Sequence, residues 1–138
     1  MSRIIFKDPG LQSAFDQDGY VQIPLLEPSD IVQLKSLFEE HMPLPPEGFF
    51  SSSYLPDFDR KKAISDAIVA VLKPRIAEHF KDFRIFGSAF LSKNPGERSQ
   101  MPAHQDWTIV DEREFVAVNI WTPLQDVNQQ NGSLQVLK

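Results

Sequence analysis

The chain contains no cysteine. Disulfides, thiolate-held zinc and a cysteine nucleophile are therefore excluded. It also lacks any block of basic residues, and 14 Lys and Arg against 19 Asp and Glu leave a formal charge of −5. That balance argues against nucleic acid or an anionic membrane as the main partner. No apolar run approaches the length needed to span a bilayer. The opening "MSRIIFKDPG" lacks the apolar stretch of a signal peptide. A soluble cytoplasmic protein is the expectation. Tyr and Trp are scarce at two each, whereas Phe occurs eleven times. With 41% hydrophobic residues the chain can build a core, which argues against disorder. Its 138 residues suit one domain, or a piece of a larger one.

Local signals place three helices first. Asp8-Pro9 supplies an N-cap and a first-turn proline for a helix to about Gln17 that buries Leu11 and Phe15. A turn at Asp18-Gly19 and a short strand from Tyr20 to Ile23 follow. Pro28-Ser29-Asp30 begins a second helix, with Ile31, Leu34, Phe38 and Met42 as one apolar stripe. The segment from Met42 to Asp57 is too rich in Pro and Ser for regular helix or central strand. It reads either as a lid or as an extended piece pinned by Phe49, Phe50 and Tyr54. A third helix covers about Arg60 to Leu72, with Ile64, Ala67, Ile68 and Val71 inward. Pro74 should break or kink it before a further turn bearing Ile76 and Phe80. His41 and His79, both in helical segments, are assigned no chemistry.

Strands come afterwards: Phe83 to Ser92, with Gly87 as a bulge or a close backbone approach, then Phe115 to Thr122, then "LQVLK" after an Asn131-Gly132 turn. The order implies an α+β fold with helices covering one side of an antiparallel sheet.

The stretch "HQDW" carries the chemistry. In extended backbone, residues i and i+2 share a face, so His104 and Asp106 can converge on one ion. Gln105 and Trp107 then point the other way, toward packing or a supporting role. One imidazole and one carboxylate are two thirds of the 2-His-1-carboxylate set of non-haem Fe(II) enzymes. On spacing alone, a polar pair on a surface loop is the favoured reading. The later strand alters that balance. Val116, Val118 and Ile120 make an aliphatic face, while Phe115, Ala117, Asn119 and Trp121 make a face that suits the inner wall of a ligand-holding barrel or jelly roll.

Three segments together, "FDQDGYVQIPLL", "HQDW" and "VNIWTPLQDVNQQNGSLQVL", resemble the phytanoyl-CoA dioxygenase (PhyH-like) family. The resemblance implies an Fe(II)- and 2-oxoglutarate-dependent dioxygenase on a double-stranded β-helix, the jelly-roll or cupin-like core. It implies His104 and Asp106 as the first two iron ligands and Trp121 beside the 2-oxoglutarate pocket. Asn119, Phe90 and Ser92 are further candidates to line that pocket. The implied reaction consumes O2, releases succinate and CO2, and hydroxylates a C–H bond of a small organic substrate. Halogenating relatives carry a small residue where Asp106 stands, so hydroxylation is the implied outcome.

The same resemblance exposes a departure. The family's distal histidine and its 2-oxoglutarate-binding arginine have no counterpart here. The only later arginine, Arg113, reads as a solvated charge in an exposed loop. The expectation is a single incomplete domain, with helical cover over about 1–82 and the first barrel strands over about 83–138. Such a chain should be inactive alone and prone to self-association through exposed sheet edges. Two other readings stand beside this one: a non-catalytic cupin-like module that binds metal weakly, and an interaction domain whose open sheet edge pairs with a partner.

Overall fold

A computed structural model describes residues 3–42 and 47–137, without the side chain of Glu97. Residues 43–46 of the Pro-rich segment, and Lys138 at the end of the last expected strand, lie outside the described residues. The architecture is α+β, with three α-helices and one small antiparallel sheet. The helices are α1 (Pro9–Asp18), α2 (Pro28–His41) and α3 (Phe58–His79); the strands are β1 (Phe49–Ser51) and β2 (Leu91–Lys93).

The helix ends form where the local chemistry puts them. Asp8 caps α1 by accepting the Gly10 and Leu11 N–H groups, and Gly19 closes it at φ 75°, a left-handed conformation that glycine adopts without strain. Asp57 caps α3 by accepting the Arg60 N–H. That cap starts the helix at Phe58, two residues before the expected Arg60. Pro74 does not end α3, contrary to expectation, and the helix runs through it to His79. Pro74 is exposed, while Val71, Leu72 and Ile76 are buried. The carbonyl that loses its donor therefore lies on the wet side. Burial of Ile76 and Phe80, about 1.5–3 kcal/mol each, offsets a helix-interior proline cost of roughly 3 kcal/mol.

The expected strands fare differently. Tyr20–Ile23, Phe115–Thr122 and the described part of "LQVLK" are irregular, and of Phe83–Ser92 only its end enters β2. Alternating side chains give a segment two distinct faces, but a strand also needs a neighbouring edge for its backbone groups. Among the described residues the one such ladder pairs Phe49 with Lys93, Phe50 with Ser92 and Ser51 with Leu91. The Pro-rich segment thus contributes an edge strand. A 3-10 turn, Ser52–Tyr54, follows it, and Tyr54 meets both Phe49 and Phe50 edge-on. Gly87 makes a close approach to α3: the Ser88 N–H donates to Ser65 Oγ at 3.0 Å.

The core lies between α2, α3 and the N-terminal arm. Leu34 and Ile64 are its most enclosed side chains, and Phe6 packs against Phe80 with ring centres 4.7 Å apart and the rings tilted by 40°. Around Phe6, the Lys7 N–H donates to His79 O and the Lys81 N–H to Ile5 O. Buried Gln12 holds the arm in place. Its Oε1 accepts the Ile5 and Phe6 N–H groups, and its Nε2 donates to Arg3 O and Asp16.

Asp30 ties α2 to α3. It accepts Arg75 Nε at 2.7 Å and Nη2 at 3.3 Å, and also the Glu27 N–H at the head of α2. The Arg75 guanidinium, followed by that backbone N–H, holds the Asp30 carboxyl below its ordinary value. A depressed carboxylate stabilises the fold fully above the unfolded-state value of about 3.9 and loses that contribution as pH falls through the folded-state value. An acid titration followed by circular dichroism is therefore expected to show helix loss below pH about 4 that is shallower in Asp30→Asn. Superimposable curves would exclude this tie as a source of acid sensitivity.

Candidate functional site

Residues 100–110 form an irregular surface segment after β2. Within it, His104 Nε2 lies 3.3 Å from Asp106 Oδ1, so the two side chains converge across the intervening Gln105. The pair is half in solvent, with side-chain exposures of 50% and 60%. His104 Nδ1 contacts Pro102 O at 2.8 Å. A carbonyl can only accept, so Nδ1 carries the hydrogen, and in the neutral ring Nε2 presents its lone pair toward Asp106. A lone pair and a carboxylate oxygen facing each other repel unless a proton or a cation lies between them. The other carboxylate oxygen, Oδ2, accepts from Asn119 Nδ2 at 2.6 Å.

Of the residues singled out from sequence, the structure brings together His104, Asp106 and Asn119. Trp121, two residues beyond Asn119, sits at the surface with 39% exposure. The face expected to form a closed inner wall is open to solvent, with Phe115, Ala117, Asn119 and Trp121 all exposed. Trp107, expected to pack, is 92% exposed. Neither residue has a second layer against which to bury among the described residues. Phe90 packs in the core, edge-on to Phe38. Ser92 stands opposite Phe50 in the sheet, and its buried Oγ has no hydrogen-bond partner among the described residues. Neither Phe90 nor Ser92 is joined to the His104–Asp106 pair by a hydrogen bond or ring contact.

Two supporting groups escaped the sequence reading. One is the Pro102 carbonyl, and the only hint of it is proximity. The other is Arg3, whose Nη1 donates to Glu112 O at 2.8 Å and Phe115 O at 2.7 Å. Nothing local in "MSRIIF" signals that contact across 109 and 112 residues. It pins the turn at 111–115, where the Glu114 and Phe115 N–H groups both donate to Asp111 O. Arg113, read as a solvated charge, is exposed but pairs with Asp111 at 2.6 Å. That guanidinium, with the Arg113 N–H, holds the Asp111 carboxyl below its ordinary value.

The family model described as phytanoyl-CoA dioxygenase (PhyH) matches residues 15–138. The chain belongs to the phytanoyl-CoA dioxygenase family. Members of this family are generally Fe(II)- and 2-oxoglutarate-dependent oxygenases. No curated protein and no solved structure matches the chain. No helix among the described residues is long and apolar enough to cross a membrane.

The residues present can be tested against the iron that this family uses. An imidazole nitrogen and a carboxylate oxygen 3.3 Å apart suit neighbouring positions on one divalent ion held at about 2.0–2.2 Å from each. The donor types suit Fe(II), and the Nδ1–H bond to a carbonyl is the usual support of a ligating histidine. His104 and Asp106 thus fit two ligand positions. Among the described residues no group of three or more His, Cys, Asp or Glu assembles.

Proposed function

We propose that the chain supplies His104 and Asp106 as two of the three protein ligands of a ferrous centre in an oxygenase that hydroxylates a small organic substrate. The observation that carries this reading is the 3.3 Å convergence of the two side chains in a chain of this family. Bound Fe(II) with 2-oxoglutarate would supply the oxidising chemistry, releasing succinate and CO2. The protein's own part is to orient its two donors and to line the site. In this reading Trp121 and Asn119 flank the 2-oxoglutarate side, and Phe90, just before β2, and Ser92, within it, border it. The Ser92 Oγ, without a hydrogen-bond partner among the described residues, is a polar atom that such a ligand could satisfy. The third iron ligand and the arginine for 2-oxoglutarate would come from outside the described residues. The 138 residues alone would then leave the centre incomplete and without turnover. Phe115–Thr122 and "LQVLK" would become barrel strands once an edge is provided, which is also the route by which copies of the chain would self-associate.

The test is 2-oxoglutarate-dependent succinate release. A version bearing the third ligand should turn over, and His104→Ala should abolish release. Equal turnover in both would remove His104 from the mechanism. Release by the 138-residue chain alone would overturn the incompleteness. Metal binding with no release from any version would leave a binding module instead.

A further inference from the structure

We propose that Asn119 is a positioning residue that restricts Asp106 to a single metal-facing oxygen. This deepens the reading of His104 and Asp106 as iron ligands and rests on it. The two oxygens of Asp106 have different surroundings. Oδ2 accepts from Asn119 Nδ2 at 2.6 Å, whereas Oδ1 faces His104 Nε2 at 3.3 Å. A carboxylate free to turn about its last torsion offers an ion either oxygen or both. Here one oxygen is occupied by a short hydrogen bond to a charged acceptor, the stronger kind. The other is left beside the imidazole.

The chemistry requires the amide. A carboxylate accepts only, so the group facing Oδ2 must donate, and Asn119 does so through its NH2. An aspartate at 119 would instead set two like charges against each other. The contact bridges 13 residues of chain and joins the "HQDW" segment to "FVAVNIWT". His104 has the matching support, Pro102 O on Nδ1. Each donor therefore has one outer partner that sets its aim. Loss of such a partner typically costs 10–100-fold in metal affinity. Asn119 is exposed, so its removal should leave folding stability almost untouched. That separates aiming a ligand from holding up the fold.

The experiment is Mn(II) titration of the chain, read as loss of the free-ion signal in electron paramagnetic resonance, alongside a thermal melt. Wild type, Asn119→Ala, Asn119→Asp and His104→Ala are compared. The expected result is binding weakened about 10–100-fold in Asn119→Ala with an unchanged melting midpoint, and binding lost in His104→Ala. If His104→Ala loses binding while Asn119→Ala matches wild type, positioning by Asn119 is wrong and the metal reading stands. A lowered melting midpoint in Asn119→Ala would reassign the residue to a structural role. If His104→Ala binds like wild type, or wild type binds no Mn(II), the metal reading fails and this proposal with it.

Discussion

Ile64→Ala is expected to lower the unfolding free energy by about 2–5 kcal/mol, measured by urea denaturation. Ile64 sits within α3 and has 0% exposure, the most enclosed side chain of the core. Truncation removes buried methyl and methylene groups and leaves a cavity in the core on α3, the helix that packs against α2. The neighbours are in a poor position to collapse into it. Leu34, in the same buried cluster, is itself 2% exposed. For a protein with typical stability of 5–15 kcal/mol, such a loss is a large share of the total. Val32→Ala is the control. Val32 lies on α2 but is 64% exposed, so its truncation should fall within about 0.5 kcal/mol of wild type. Equal effects at the two sites would mean that the core does not lie between α2 and α3.

Asp106→Asn is expected to remove divalent-metal binding by at least about 100-fold, more than the loss of an outer partner usually causes, while leaving the metal-free melting midpoint unchanged or higher. The carboxylate is the only anionic donor of the pair, and an amide of the same shape carries no charge to offset the ion. The asparagine would turn its oxygen to Asn119 and its NH2 to His104 Nε2, closing the pair with a hydrogen bond where an ion would sit. Stability should not fall, because the site is half exposed and Asp106 Oδ1 faces a lone pair in the neutral tautomer. Mn(II) titration and a thermal melt on the same sample check both halves. Retained affinity would exclude Asp106 as a ligand, and a lowered midpoint would mean that the carboxylate serves the fold.

The split between these predictions follows from what each feature depends on. Helix boundaries were legible because their causes are local. Asp8-Pro9 and Gly19 bound α1, Pro28 starts α2, and the stripe of Leu34, Phe38 and Met42 points at the core. Pro74 misled, because its cost depends on whether it faces solvent or the core, and sequence does not state that. The strands misled for a related reason. "FVAVNIWT" alternates as a strand should, yet among the described residues it has no edge to pair with.

At the site, the convergence of His104 and Asp106 was implicit in their spacing, since neighbours two apart in extended backbone lie on one side. The rest was not. The Pro102 carbonyl on Nδ1, the Asn119 amide on Oδ2 and the Arg3 clamp on the 111–115 turn each depend on how separate atoms come to lie in space. Short-range chemistry in the sequence determined the three helices, the exclusion of cysteine chemistry and the pairing of one imidazole with one carboxylate. Only the tertiary structure decided which strand forms a ladder, that the pair stands half in water, and which carboxylate oxygen is left free. Those outcomes depend on contacts between distant residues, and a hydrogen bond across the chain requires a geometry that no neighbouring residue sets.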